Sequence, residues 1–466
     1  MNMKFFRPFS RLLSFLFLGL LLSLSVSLSA CGGKSTDRLA PYTGPPPALD
    51  VLIYPQDLFA YVDAAGGVQL LLSPAEQAAA AERQKKAWYR PWLLTAPARW
   101  IEESLAKNFN MSLAGAYTND HSPFPADVWD ALVLNSNKEA YGKNAGPAIT
   151  LRATNLRAMP TDRHYYRRPH LPGEGYPFDY FQHTSTPPGT PIYICNVSRD
   201  GQWVLVDGPV TAGWVPAKDV ARVDAAFMER WQSRPLAAIV RDGTAVGRLS
   251  ADIGTLLPLV TDAAPGLNRR LRVYYPVKDA AGRAQIQSAK MARTTLARGA
   301  ATAVPLPLTA RAVATVGRDM LGQPYGWGGL DGLRDCSALT RDLFMPFGIH
   351  LPRHSASQAR AGRGIELGGL SNAEKEALIL AEGVPFRSLI WFRGHIGVYI
   401  GEYTGRAMYF HNMWGLRIRD ADGGCDNRAI VGKGVITTLQ PGLERPDLCS
   451  PGSFLDRIEK LTILPQ

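Results

Sequence analysis

A chain of 466 residues with 46% hydrophobic and 20% charged positions is too long for one core and leaves room for two to four globular units. Its formal net charge is +11, or +8 without the three cations of the first thirty residues. The positive residues are scattered rather than blocked, which argues against a nucleic-acid partner and leaves an anionic wall polymer or lipid, or plain solubility, as their use.

The opening "MNMKFFRPFSRLL" carries Lys4, Arg7 and Arg11 without an acid, and the apolar run that follows ends at Ala30. That combination is a bacterial export signal rather than a structural helix. Leu28-Ser29-Ala30-Cys31 resembles a lipobox, so residues 1–31 are expected to be a lipoprotein signal whose Cys31 is acylated. Acyl chains, worth about 0.8 kcal/mol per buried CH₂, would hold the mature chain on a membrane. The lack of aspartate after Cys31 resembles outer-membrane sorting, which gives an expected place in the cell envelope, on the outer membrane facing the periplasm. No later segment has eighteen consecutive apolar residues. Residues 32–50, "GGKSTDRLAPYTGPPPALD", read as an extended linker.

Residues 51–145 read as a helical scaffold segment. Ser73 followed by Glu76 forms a capping box for "PAEQAAAAERQKKAWY", and Pro91 ends that helix. A second helix, "TAPARWIEESLAKNF", places Trp100, Ile101, Leu105 and Phe109 at helical spacing as core or docking positions.

From there short strands alternate with Gly, Pro, Asn and Asp, the rhythm of a small barrel. In residues 146–226 the order "LRAMP", "GQWVLV" and "GWV" resembles bacterial SH3 domains; residues 227–300 have a similar length and rhythm and are expected to form a second SH3-like barrel.

Cysteine usage narrows the chemistry. With Cys31 set aside, Cys195, Cys336, Cys425 and Cys449 remain in a compartment that permits disulfides. Cys425 and Cys449, 24 residues apart in a loop-rich tail, suggest a bridge, worth about 3 kcal/mol if unstrained. Cys195, in "TPIYICNV", reads as core. No C-x-x-C or H-E-x-x-H spacing occurs, so no metal or other cofactor is expected.

Residues 301–466 contain "GQPYGWGGLDGLRDCSALTRDLFMPFGIHLPR". Ala338, Leu339, Leu343, Phe344 and Phe347 recur at helical spacing, so a helix starts beside Cys336 with Asp335 as its N-cap. A helix N-terminus lowers a thiol pKa, and the glycines at 326, 328, 329 and 332 would let backbone amides approach a substrate and serve as oxyanion donors. A packed cysteine opening a core helix fits the same local pattern. Further on, "WFRGHIGVYIGEYTGRAMYFHNMWG" reads as a hairpin turning at Tyr403-Thr404-Gly405, a three-residue loop whose odd length puts His395 and His411 on one face in diagonal register.

Taken together, "PYGWGGLDGLRDCSALTRDLF", "LPRHSASQ", "GHIGVYIG" and "FHNMWG" resemble, in this order, the NlpC family of papain-like cysteine peptidases, which are bacterial cell-wall hydrolases. The expected architecture is α+β and multidomain: a helical N-terminal segment, two small SH3-like β-barrels and a C-terminal papain-like peptidase domain. The resemblance implies Cys336 as nucleophile, His395 as base and His411 as the residue that orients it. It matches Tyr325 to a tyrosine that polarises the scissile carbonyl, and Asp335, Ser337 and Ser355 to positions that contact the peptide. It implies the substrate as well, the murein (peptidoglycan) stem peptide cut between γ-D-glutamyl and a diamino acid such as meso-diaminopimelate. In relatives the first SH3 barrel walls the cleft, where Glu174 and Asp179 of "GEGYPFDYFQ" could hold the free amine of an N-terminal L-alanine. No partner beyond this peptide and the membrane is expected, and the chain should be a monomer.

Two departures stand out. The segment 368–384 intervenes as a helix or lid, and "VPFRSLIWF" replaces the family's "P-G-D-L" with Arg387 and Ser388. The competing readings are a wall-binding lipoprotein with an inactive peptidase fold, and a papain-like amidase or acyltransferase acting on another amide or ester.

Overall fold

The computed structural model describes residues 47–64, 66–279 and 286–465. The export signal, Cys31 and most of the 32–50 linker lie outside the described residues. The described chain is α+β, with a helical N-terminal region, SH3-like β domains and a C-terminal domain of mixed composition.

In the N-terminal region the helix Pro74–Tyr89 begins at the capping box read from the sequence: Glu76 N–H donates to Ser73 Oγ, while Ser73 N–H donates to the Glu76 carboxylate. This helix docks on the C-terminal domain. Gln77 Nε2 donates to the Phe347 carbonyl at 3.0 Å and Gln84 Nε2 to the Met345 carbonyl at 2.9 Å, so buried side-chain amides satisfy buried carbonyls across the joint. The helix Arg99–Phe109 buries Ile101 and Leu105 against Tyr193, Trp203 and Trp214 of the first barrel. Trp100, expected among the packed positions, is 47% exposed, because a stripe two residues wide suffices for this contact.

The first barrel is a seven-stranded antiparallel sheet whose strands run from Gly146–Thr150 to Val220–Arg222. The second is built from small antiparallel pieces around the buried Trp231. Its last strand, Ala301–Ala303, pairs with Leu236–Ile239, so the barrel extends past residue 300, where the sequence reading placed its end. Three small residues gave no strand signal of their own there; the partner strand supplies it.

The C-terminal domain holds a six-stranded antiparallel sheet. Its strands are β1 (Arg363–Glu366), β2 (Ser388–Phe392), β3 (His395–Tyr403), β4 (Arg406–Ile418), β5 (Asn427–Thr438) and β6 (Ile458–Ile463), in the spatial order β1-β6-β2-β3-β4-β5. Helices α1 (Ala310–Gly317) and α2 (Cys336–Phe344) cover one face, where Val313, Leu339 and Leu343 pack with Val398 and Phe410. Segment 368–384 folds as α3 (Asn372–Glu382), with Ile379 fully buried among Tyr399, Tyr409 and Leu461 and Lys375 Nζ donating to the Leu455 carbonyl at 2.7 Å. It is a packed layer on the other face of the sheet rather than a lid.

Candidate active site

The hairpin that carries the two histidines turns in two residues, not three. Tyr403 pairs with Arg406, and Thr404 and Gly405 both have positive φ, at 51° and 79°, as a tight primed turn requires. That turn alone would put His395 and His411 on opposite faces. A bulge between Tyr399 and Gly401 inserts one residue and restores the parity, so the rings come together through a different device from the expected one. His395 Nε2 lies 2.8 Å from His411 Nδ1. Gly397 is what lets the strands close: a Cβ there would fall 2.6 Å from His411 Cβ.

Pairing between β3 and β4 ends at Val398 and Phe410, and beyond that point the Ile396 N–H turns to the sulfur of Cys336 instead of a neighbouring strand. The nucleophile candidate thus sits against β3, one residue past His395. Asp335 caps α2 as expected: its Oδ1 accepts from the Ala338 N–H at 2.8 Å and from Ser337 Oγ at 3.0 Å. Arg353 adds a two-pronged bond to the same carboxylate, a bond to Ser337 Oγ at 2.7 Å, and a bond to Thr184 of the first barrel at 2.8 Å. Burial works to raise the Asp335 carboxyl, but Arg353 and these donors overcome it and hold the group below its usual range. Asp335 and Ser337 are therefore both occupied by protein partners. Arg353 was not singled out from the sequence, although it stands inside the quoted "LPRHSASQ"; an arginine two residues before a serine gives no sign of its partner eighteen residues away.

The thiol does not behave as a helix N-terminus alone would dictate. Burial and the neighbouring Asp335 carboxylate push Cys336 up to about 12, outweighing the Ile396 and Ser337 N–H groups and Arg353. Burial, with Arg457 nearby, pulls His395 down to about 3, and burial, with His395 nearby, holds His411 well below the usual imidazole range. Cys336 and both imidazoles are neutral at rest. Tyr325 lies within electrostatic reach of the Cys336 sulfur, and burial drives its phenol well above the ordinary range.

The glycine loop has a different task from the one expected. The Gly326, Gly328 and Gly329 N–H groups donate to Arg334 O, the Asp335 carboxylate and Gly326 O, so they are not held open for an oxyanion. Gly328 and Gly329 have φ of 61° and 78°, and a Cβ on either would strike Gln182 or Ser185 of the first barrel. These glycines admit the barrel. Opposite them, Phe178 of the barrel packs 5.1 Å from Trp327, 5.7 Å from Trp414 and 6.2 Å from Tyr325, measured between ring centroids.

Asp179 is not available to a substrate amine. It is fully buried, with Arg157 2.9 Å from Oδ2 and the Tyr165 and Phe181 N–H groups on Oδ1, because a carboxylate in the barrel interior must be fully bonded. Glu174 is more open and is held by Arg168 and the Tyr180 hydroxyl. Ser355 is half-buried and opens the short helix Ser355–Gln358, whose Gln358 bonds back to Thr340 and the Ser337 carbonyl. Cys425 and Cys449 form a disulfide, and Cys195 is buried and free. Among the described residues no group of histidines, cysteines and acids is arranged to hold a metal.

The family comparisons meet this geometry directly. The NlpC/P60 family profile matches residues 322–432, which span Tyr325, Cys336, His395 and His411. The C-terminal domain is an NlpC/P60 domain. Ahead of it, profiles for an SH3 domain of the SH3b1 type match residues 164–216, for one of the SH3b2 type residues 224–262, and for the N-terminal NLPC_P60 stabilising domain residues 20–141. The NlpC/P60 endopeptidase structure from Photobacterium damselae subsp. piscicida superposes with a TM-score of 0.74 at 26% identity, covering 88% of this chain and 97% of that one. The gamma-D-glutamyl-L-lysine dipeptidyl-peptidase of Bacillus subtilis is 33% identical over 94 residues, 20% of this chain and 30% of its own length. A Corynebacterium glutamicum protein named "Probable endopeptidase" is 30% identical over 105 residues, 22% of this chain and 44% of its own length. The chain thus spans less than half the length of these curated relatives.

Proposed function

We propose that the protein is a peptidoglycan hydrolase, a cysteine endopeptidase that cuts murein stem peptides between γ-D-glutamyl and a diamino acid such as meso-diaminopimelate. The observation that carries the chemistry is the hydrogen-bond chain behind His395. Thr437 Oγ1 donates to the Thr438 carbonyl at 2.7 Å and so accepts from His411 Nε2–H at 3.1 Å. His411 Nδ1 is then an acceptor, His395 Nε2 donates to it, and His395 Nδ1 is left as the basic atom.

Because thiol and imidazole are neutral at rest, proton transfer accompanies attack. Cys336 Sγ bonds to the amide carbonyl carbon as His395 Nδ1 takes the thiol proton; the C–N bond then breaks and that proton leaves with the amine. Water adds to the thioester with His395 as base, the acid departs, and Sγ recovers its proton. His411 holds the ring and tautomer of His395, and Tyr325 polarises the carbonyl. The peptide runs between the first SH3 barrel and the NlpC/P60 domain, past Ser355, with Glu174, which Arg168 and the Tyr180 hydroxyl hold, as the acid for a free N-terminal amine.

Acylation of Cys31 would place the enzyme on the outer membrane facing the periplasm, and loss of labelling by a lipid precursor in Cys31→Ser tests it. The reaction is tested by digesting purified murein with the native chain and with Cys336→Ala, resolving products by mass. Products ending in γ-D-glutamate, absent from the variant, are expected. Cleavage at the lactyl-alanine bond, or equal inactivity of both chains, would overturn the assignment.

A further inference from the structure

Lys460 on β6 and Glu366 on β1 stand opposite one another and pair at 2.6 Å, the usual way for two charges to share a register position. β4 and β5 do the reverse. Arg417 and Arg428 are register partners, the only like-charged pair at one position among the described strands. Like charges directly opposite destabilise a sheet. Leu416 and Ile418 are buried in the layer that α3 covers, so Arg417 between them lies on the other face, where Gly173 of the first barrel sits against the Arg428 guanidinium.

A third cation joins the pair. Arg457 ends the short helix Phe454–Arg457 and lies 4.5 Å from the centroid of the Phe392 ring, which is itself 5.2 Å from the His395 ring. It is within electrostatic reach of Arg417, Arg428 and His395. Burial, and after it the charge of Arg417, holds both Arg428 and Arg457 below the ordinary guanidinium range.

No acid of the chain offsets this charge. Among the described residues none of the three arginines is paired with a carboxylate; their bonds run to main-chain carbonyls, Arg417 to Cys425, Arg428 to Cys425, Asp426 and Asn427, and Arg457 to Arg393. The acids within reach of Arg428 are Asp426 and Glu174, and both lie against Arg168, at 3.7 and 2.9 Å. Three converging guanidinium groups, only partly buried, therefore call for an anion from outside, and a carboxylate suits their forked donors best.

Position narrows the carboxylate. The Phe392 ring separates Arg457 from His395, so an anion held among the arginines lies a side chain's length from the imidazole that protonates the leaving amine. An α-carboxylate, adjacent to that nitrogen, is too close. A carboxylate at the far end of a diamino acid's side chain, several methylenes away, fits.

We propose that Arg417, Arg428 and Arg457 bind the side-chain carboxylate of the diamino acid on the leaving side, and so select stem peptides carrying a dicarboxylic diamino acid over those carrying lysine. The inference rests on the proposed cleavage of murein stem peptides and adds to it the residues that choose the diamino acid. Repulsion across β4 and β5 is relieved when the carboxylate binds.

The test is calorimetric titration of the full-length Cys336→Ala chain with three peptides: L-alanyl-γ-D-glutamyl-meso-diaminopimelate, the same peptide with its side-chain carboxyl amidated, and the lysine analogue. The first should bind about 10- to 100-fold more tightly than the other two, the worth of hydrogen bonds to a charged group. Arg417→Gln or Arg457→Gln, added to this chain, should erase most of that preference. Arg419→Gln, the same loss of charge at an exposed arginine just beyond β4, should keep it. Equal binding of the three peptides, a loss in Arg417→Gln that is the same for the carboxylate and its amide, or an equal effect of Arg419→Gln would overturn the proposal. Hydrolysis by the chain with Cys336 intact is read separately: binding preference without any cleavage would overturn the proposed peptidase and leave the carboxylate site standing.

Discussion

His395 Nε2 and His411 Nδ1 face each other across 2.8 Å, and the bond between them settles where the protons of both rings lie. Its far end is Thr437, whose hydroxyl is committed to the Thr438 carbonyl. Loss of that anchor leaves His411 free to place its proton on Nδ1, which turns the His395 ring's basic atom away from its task. His411→Ala should lower kcat by about 10²–10⁴-fold, as for other residues that hold a catalytic imidazole in its tautomer. Thr437→Val should cost about five-fold, one neutral hydrogen bond. Both losses should fall on kcat with KM nearly constant, measured on a soluble stem peptide. A Thr437→Val enzyme as fast as the native one would show that the chain does not set the tautomer.

The neutral resting pair has its own signature. With Cys336 pushed up to about 12 by burial and Asp335, little thiolate exists at pH 7. The thiolate fraction, and with it the rate of inactivation by iodoacetamide, should keep rising tenfold per pH unit through pH 9 instead of levelling off near neutrality. A plateau below pH 7 would mean a preformed thiolate-imidazolium pair.

Acid should destabilise the fold through the same histidines. His395 is pulled down to about 3 and His350 to about 4, and His411 lies in the same direction, whereas an unfolded histidine titrates near 6.5. Below that value the unfolded chain binds protons that the native chain refuses, so stability is full above pH 6.5 and is lost as pH falls toward the folded values. The limiting slope is about 1.4 kcal/mol per pH unit for each such group. Urea midpoints should drop between pH 6.5 and 4.5, and less steeply in His411→Gln. An identical slope in the variant would remove His411 from this account.

The order of domains and the helix that starts at Cys336 were legible in the chain, because apolar spacing after Cys336 and turn residues in the barrels report local structure directly. What was not legible depended on contacts between distant segments. The glycines before Cys336 looked like a substrate cradle, yet their lack of side chains serves the approach of Gln182 and Ser185, some 145 residues earlier. The thiol was expected to be acidic from its position at a helix start, but burial beneath β3 and the charge of its own N-cap decide the matter. Asp179 looked like a surface acid because nothing nearby in sequence shows that Arg157 awaits it inside the barrel. The two histidines share a face as read, but through a bulge that no turn signal announces.

Arg353 joins the N-cap of α2 to the first barrel, and its removal isolates a buried carboxylate. Arg353→Ala should destabilise the chain by about 3–5 kcal/mol, the usual cost of stripping one partner from a buried pair. Arg353→Lys should recover only part of this, since an ammonium cannot reproduce the fork that spans Asp335 and Ser337 while reaching Thr184. Denaturant unfolding of the two variants gives the comparison. Equal stability of Arg353→Ala and the native chain would mean that Asp335 is neutral in the fold.

The Cys425–Cys449 bridge sits far from the sulfur of Cys336 along the chain, yet it bears on the cleft. Cys425 immediately precedes Asp426 and β5, and Cys449 N–H donates to the Arg417 carbonyl, so the bridge ties the tail 445–450 along the end of β4. That end of the hairpin supports the barrel loop that carries Phe178: Trp414 Nε1 donates to the Pro172 carbonyl, Gly173 lies under the Arg428 guanidinium, and Arg168 is 3.7 Å from Asp426. Freeing the tip should loosen the wall without moving the histidine pair, which the bulge and Gly397 hold in place farther along the hairpin. Replacing both cysteines by serine should lower stability by about 3 kcal/mol, the loop-closure entropy of a 24-residue separation. KM for a stem peptide should rise about five-fold, the ordering cost of roughly one side chain now met on binding, while kcat stays within a factor of about two of the native value by this argument. If kcat falls and KM holds, the bridge acts on the chemistry itself and the hairpin is not a wall of the cleft.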